Sequence, residues 1–386
     1  MYDEQIKKVS VRQADYEDVD VILDIMGEAY AMLEDKKRFF TDDREFIREG
    51  IHERGFALIA QLEGEAIAYM TVRFPGTEKD NLGKYLCFDR QQLMGTAMLD
   101  SVAVKADYRG HGLQKLLIEE AQKLARADGY IHFLAKTHPD NRASLKSFIN
   151  RGYRMMLKVH EQGTERIILY KSIFADEQKE YFRLFDEKGE PLELIKERNA
   201  VHRDGDLHGA VHIWIMEKYK KTSGEDGIRV LLQKRSADKD SFPNCYDCSS
   251  AGHLDAGEDF ISAALRELLE ELSFEADEED LEFLFKQIVG GEYRFHDATF
   301  KNHELNYVYL LKKPVHIEEL SFQKEEIQEL EWQDAAEVAE KLCRSDEPKE
   351  SGYCIWREEV EKVIKIVKEA KVNYCRTFGS SNRTCT

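Results

Sequence analysis

The stretch GHLDAGEDFISAALRELLEELSF, Gly252 to Phe274, constrains the fold of this chain more than any other. Successive residues of a helix turn by about 100°. Leu265, Leu268, Leu269 and Leu272 therefore recur at the spacing of one apolar stripe, which predicts an amphipathic helix pinned to a core by its leucines. Glu267, Glu270 and Glu271 share nearly one direction, read as the opposite side. Like charges gathered on an anchored helix repel one another. Either water screens them, the usual fate of a charged face, or a cation belongs between them.

A chain of 386 residues is too long for one ordinary core, so two domains are expected. The formal charge of −19 opposes a nucleic-acid or anionic-membrane surface as the main partner. It leaves room for a small phosphorylated ligand held by local amides or a metal. No run of about 20 apolar residues is present and the opening MYDEQIKKVSVRQAD has no signal-like segment, so a cytoplasmic protein is expected. Seven cysteines, an odd number, fit a reducing compartment. Cys245 and Cys248 form a C-x-x-C without a second ligand pair, and read as buried thiols.

Residues 5 to 172 alternate strand and helix patterns, and the charged FADEQKE marks a boundary. From EYFRLFDEKGEPLEL onward strands dominate, with the acidic helix near the middle of that half. The expected domains are 1–173 and 178–372, followed by a polar tail at 373–386 that lacks periodicity. No internal repeat relates the two halves.

In the first half the strand MLDSVAV runs through KADY into RGHGLQ, which opens the helix KLLIEEAQKLARA. Gly110 and Gly112 permit a tight turn whose N–H groups face an anion at the helix N-terminus. An ordinary strand-to-helix turn uses glycines in the same way. The longer stretch LDSVAVKADYRGHGLQKLLIEEA, followed by THPDNRASLKSFINRGYR, resembles the GNAT family of acyl-CoA N-acyltransferases over residues 5 to 172. The resemblance implies a mixed, mostly antiparallel sheet with flanking helices, and acetyl-CoA as cosubstrate with an amine acceptor. It implies Val102 and Val104 facing the pantetheine, and Arg109, Gly110, His111, Gly112, Leu113 and Gln114 facing the pyrophosphate. Gln114 stands where the family carries a small residue. Asn141 either faces the cofactor or caps the helix after it. The family's usual acid, a tyrosine, is replaced by Phe148, which has no proton to give. Water or Tyr153 substitutes, or proximity suffices, or this half binds CoA without turnover. Asp100, His111 and His138 lie near the implied site, with Asp100 a possible base.

In the second half the opening stretch fits G-x5-E-x7-R-E-U-x-E-E-x-G-U, with U bulky and apolar: Gly252, Glu258, Arg266, Glu267, Leu268, Glu270, Glu271 and Phe274 comply, and Ser273 replaces a glycine. This resembles the Nudix hydrolase family, an α/β/α sandwich. The resemblance implies Mg²⁺ or Mn²⁺ held by Glu267, Glu270 and Glu271, with Glu270 also acting in the chemistry, and a small-molecule diphosphate as substrate. A base outside the box is sought in KEEIQELEW, at Glu326 or Glu329, with Glu326 preferred. Residues 180 to about 340 further resemble the branch related to isopentenyl-diphosphate isomerase. His202, His208 and His253 match that branch's metal-binding positions. They are metal or phosphate contacts, or polar residues of entry loops. The isomerase cysteine is replaced by Ala251, and the intact box favours hydrolysis over isomerisation.

The expectation is an α/β chain in two parts, an acetyltransferase-like domain followed by a pyrophosphohydrolase of a nucleoside diphosphate-linked or related compound. The alternatives are a hydrolase with a CoA-sensing module, an isomerase, and a non-catalytic scaffold. The acetyl acceptor and the particular diphosphate are not legible.

Overall fold

The computed structural model describes residues 8–173, 179–239, 241–295, 298–345 and 348–369. The chain divides into two compact units, Met1–Arg183 with Leu192–Arg198, and Leu184–Pro191 with Asn199–Thr386. Most of FADEQKE, and the tail at 373–386, fall outside the described residues.

The first unit is built on a seven-stranded sheet of β1 (Ser10–Gln13), β2 (Gly55–Leu62), β3 (Glu65–Arg73), β4 (Thr96–Val104), β5 (His132–Thr137), β6 (Arg154–Glu161) and β7 (Thr164–Ser172), in the order β1-β2-β3-β4-β5-β7-β6. Every pairing is antiparallel except β4 with β5. The β2–β3 hairpin closes through Glu63 and Gly64, both at positive φ, the backbone that matches strand twist in a two-residue turn. Helices α1 (Val19–Ala31) and α2 (Arg44–His52) cover one face through Ile22, Ile25, Met26, Ile47 and Ile51. Helix α3 (Leu113–Ala127) covers the other with Leu117, Ile118 and Ala121, joined by Phe148 from α4 (Arg142–Ile149). Strands β8 (Tyr181–Phe185) and β9 (Pro191–Glu197) fall at the division between units.

In the second unit, after α5 (Arg198–Asp204), strand β10 (His208–Trp214) is buried along its whole length. Such burial follows from covered faces on both sides. Strands β11 (Met216–Lys220), β12 (Asp226–Arg235), β13 (Tyr246–Asp247) and β17 (Ile327–Asp334) form one sheet. In the other, β14 (Ser250–His253) runs antiparallel to β10, while β16 (Ala298–Leu311) runs parallel to it and pairs with β15 (Leu281–Phe295). Helix α6 (Phe260–Leu272) packs with Val211, Ile213, Leu231 and Leu305. Helices α7 (Ala335–Arg344) and α8 (Arg357–Glu369) pack with Trp214, Met216, Val308 and Leu310. Side chains of opposite parity on β10 serve the two layers, which makes this an α/β/α sandwich. No helix among the described residues is long and apolar enough to cross a membrane.

Candidate functional site

Helix α6 starts where the Asp259 carboxylate accepts from the Ser262 N–H, and ends at Ser273 with φ 51°. Its buried face differs from the leucine stripe expected. Ala263, Ala264, Glu267, Leu268 and Leu272 are buried, Leu265 is half-buried, and Leu269 is 50% exposed. Ala263, Glu267 and Glu271 fall in one line at i, i+4, i+8. The alanines bring the helix close to the sheet, and Glu267 and Glu271 lie within the buried face. Leu269 points about a quarter-turn beyond Leu268, outside it.

Gly252 explains how a carboxylate fits there. A Cβ on Gly252 would lie 1.9 Å from the Glu267 carboxyl carbon. The Glu271 carboxylate accepts from the Ser250 hydroxyl at 2.8 Å, the Ala251 N–H at 3.1 Å and Gln233 at 3.3 Å. Arg266 gathers the rest, donating to Glu258 at 3.0 and 3.1 Å, Glu267 at 2.6 Å, Glu270 at 3.0 Å and the His253 carbonyl at 3.0 Å. Glu267 and Glu270 thus share one guanidinium nitrogen, while Glu271 turns to β14. Burial pushes Glu267 up to about 8 despite Arg266, and Glu271 up to about 7 despite its hydrogen bonds. The neighbouring carboxylates add to both shifts through their charge. Buried, hard-oxygen groups that resist ionisation fit a divalent cation, whose charge reverses that resistance. Glu326 pairs with Lys239, whose charge also reaches Glu271, while Glu329 meets Lys234 and Tyr246.

On the opposite face of the β10 sheet, residues far apart in sequence converge. His208 stands across from Glu304 on β16, and Ala210 from His253 on β14, so these side chains share one face. His202 joins them from α5. Ligand atoms of His202, His208 and His253 all lie within 4.8 Å of one another. Burial, then the like charge of the other rings, pushes His202 down to about 3 and His208 down to about 4. Both rings are therefore neutral at pH 7, the form that binds metals. Further along the face, His212 contacts Glu359 at 2.9 Å, and Trp214 and Gln287 donate to the same carboxylate at 2.8 and 2.6 Å. Burial works against a charged His212, but Glu359 outweighs it and raises the ring to about 9. Ala251 sits opposite His212. Cys248 does not take its place, being fully buried with its thiol directed at the Ser250 carbonyl. Strand alternation does not decide its direction, because the strand is broken between β13 and β14. Burial raises the thiols of both Cys245 and Cys248.

In the first unit β4 and β5 pair only through Thr96–Met98, and a bulge at Asp100 interrupts the pairing with β3. Beyond Met98 the parallel pair parts, and a cleft of about 1640 Å³ lies there. Val102, Val104, Arg109, Gly110, Gly112, Leu113, Gln114 and Asn141 all line it. Gly110 and Gly112 have φ 81° and 80°, and a Cβ on either would meet nothing within 4 Å. Conformation, and not space, calls for glycine at both. The N-terminus of α3 has no side-chain cap, which leaves it fit for a pyrophosphate. The Gln114 amide donates to Ser144 at 3.1 Å and Arg109 to the Val104 carbonyl at 3.0 Å. Asn141 caps α4, accepting from the Ser144 N–H at 3.2 Å. His111 is half-buried beside them.

Of the acid–base candidates, Tyr153 is 2% exposed and accepts from Gln122 at 2.8 Å, packed edge-on against Phe148. Burial raises its hydroxyl well beyond the neutral range. Asp100 accepts from Arg73 at 2.6 Å and is raised by burial. His138 lines the cleft and accepts from the Asp140 N–H. A residue the sequence did not point to, Asp42, lines the same cleft, where burial and then the charge of Asp100 raise it to about 6. It comes from a segment with no periodic pattern between α1 and α2.

The model of the NUDIX domain matches residues 207–351, and that of the acetyltransferase (GNAT) family matches residues 20–153. Nudix hydrolase 3 of Arabidopsis thaliana is 38% identical over 170 residues, covering 44% of this chain and 21% of that protein. The match thus spans about a fifth of the plant relative. An uncharacterized Nudix hydrolase of Clostridium acetobutylicum is 33% identical over 150 residues, covering 39% of this chain and 68% of that one. Among solved structures, the ribosomal-protein-S18-alanine N-acetyltransferase from Escherichia coli is 15% identical, with 44% of this chain and 97% of that chain covered at a TM-score of 0.34. An N-acetyltransferase from Staphylococcus aureus Mu50 is 19% identical, with 42% and 98% covered at 0.33. With its box helix seated on β14 and its glycine turn opening α3, the chain belongs to the Nudix family and carries a GNAT domain ahead of its Nudix domain.

Proposed function

We propose that the second unit is a divalent-cation-dependent hydrolase of a compound containing a diphosphate linkage, a nucleoside diphosphate derivative or a related diphosphate. The observation that carries this reading is the Glu267 carboxylate seated in the space left by Gly252, with half-buried Glu271 on the same helix face. Glu267, Glu270 and Glu271 would hold Mg²⁺ or Mn²⁺, and Glu270, the exposed one, is also the candidate for direct work on the water. When bound, the ion neutralises diphosphate oxygens and acidifies a water. Arg266 keeps Glu258, Glu267 and Glu270 in register, and Ser250 with the Ala251 N–H orients Glu271. Glu326, at the Lys239 rim, is the candidate to receive the proton of the attacking water. The test is a diphosphate panel with Mg²⁺ read by mass spectrometry, wild type beside Glu270→Gln and Glu271→Gln. Cleavage by the wild type alone supports the reading, and cleavage by none contradicts it.

The first unit is read as transferring acetyl from acetyl-CoA to an amine, supported by the cleft over the Gly110–Gln114 turn. Phe148, apolar and 2% exposed, favours a second reading in which CoA binds without transfer. Thiol release from acetyl-CoA across an amine panel separates the two. The gathered histidines favour an isomerase reading of the second unit, and Ala251 opposes it. Conversion of isopentenyl to dimethylallyl diphosphate would restore that reading. A cytoplasmic setting is supported by the free thiols of Cys248, Cys343 and Cys354.

A further inference from the structure

Most charges set deep in the first unit's cleft are already balanced. Arg73 meets Asp100 and Asp80, each at 2.6 Å, and Lys136 meets Glu161 at 2.7 Å. Two are not. Arg166 is 3% exposed, yet its guanidinium donates only to backbone oxygens, of Glu165 at 3.1 Å and Lys37 at 2.6 Å, and rests 4.0 Å over the Phe40 ring. No carboxylate touches it among the described residues. Burial of that charge lowers its pKa, and the more distant charges of Glu161 and Asp35 offset this only in part. Asp42, on the same chain segment as Phe40, makes no side-chain hydrogen bond or ion pair among the described residues. A buried cation without a counter-ion is costly, and so is a half-buried carboxylate facing another carboxylate. Both costs fall when a ligand brings the opposite charge to each.

We propose that the acetyl acceptor is a primary amine bearing its own carboxylate or phosphate group, the ammonium received at Asp42 and the anion at Arg166. This rests on the acetyl-transfer reading above. Arg166 suits the anion because its planar fork matches a carboxylate or phosphate. Lys36, Lys37 and Arg38 line the same wall and add positive potential. In the step itself the ammonium gives a proton to Asp42, and the freed nitrogen pair attacks the thioester carbon. The C–N bond forms, the C–S bond breaks, and the electron pair leaves with sulfur. Of the two protons the nitrogen loses, one passes through Asp42 to solvent and the other ends on the CoA thiol.

The test is steady-state acetyl transfer by the full-length protein, read as CoA release, over three sets of amines: amino carboxylates, amino phosphates or phosphonates, and matched amines without an anion. The expected result is kcat/KM about 10- to 100-fold higher for one of the anionic sets than for the neutral set. Arg166→Gln then raises KM for the preferred set by about tenfold or more. Arg166→Lys recovers part of the loss. Equal use of neutral or polycationic amines by the wild type overturns the proposal while sparing the acetyl-transfer reading. Acetyl-CoA binding without CoA release for any amine overturns both.

Discussion

Gly252 and Glu267 compete for one volume: a methyl group on the glycine would lie 1.9 Å from the carboxyl carbon of the glutamate. The box glycine is therefore more than a permissive turn residue. It is the socket in which a carboxylate from the facing helix sits. Gly252→Ala should displace Glu267, cutting diphosphate hydrolysis by about 100-fold. The overpacking should also cost about 1–3 kcal/mol of stability. Hydrolysis assays beside urea titration check both, and unchanged activity would remove the socket.

The buried face of α6 makes a paired prediction. Leu268→Ala should cost about 2–5 kcal/mol, because Leu268 is fully buried. Leu269→Ala should stay within about 0.5 kcal/mol, because Leu269 is half exposed. Chemical denaturation of the two variants measures the contrast, and equal losses would restore the leucine stripe as the core contact.

His212 and Glu359 give stability a pH dependence. The folded ring titrates near 9, against about 6.5 when unfolded. The contribution is therefore complete below about pH 6.5 and is lost as pH rises through about 9. Thermal midpoints of the wild type should fall more steeply between pH 7 and 10 than those of Glu359→Gln. The variant itself should be about 1–3 kcal/mol less stable at pH 7. Parallel curves would show that the pair does not titrate as a unit.

If the proposed acetyl transfer uses Asp42 as its base, Asp42 sets the acid limb of the reaction. Held near 6, it must lose its proton to act as a base, so kcat/KM should rise with pH and bend near 6. Asp42→Asn should lose that bend and about 10²- to 10⁴-fold in rate. A pH–rate profile of both proteins decides it.

The legible parts were those carried by local pattern. The α3 turn declared itself through two glycines at positive φ, and the box through charges at helical spacing. Period alone placed Leu268 and Leu272 in the core but misplaced Leu269 and Glu267, because four leucines outweighed Ala263 and Ala264, whose small size lets the helix approach β14. Asn141 both caps α4 through the Ser144 N–H and lines the cleft, a double placement that the sequence does not show. The three histidines arise from α5, β10 and β14, so no window of sequence joins them. His212 and Glu359 lie 147 residues apart, and Asp42 sits in a segment without periodicity. Contacts of that kind are products of the fold.

Calorimetric titration of Mg²⁺ and Mn²⁺ at neutral pH, into wild type, Glu267→Gln and His208→Gln, bears most directly on the carboxylate site. The expected result is cation uptake by the wild type that is lost or weakened at least about tenfold in Glu267→Gln, and kept in His208→Gln. No uptake by the wild type, or loss with His208→Gln while Glu267→Gln binds normally, would contradict it.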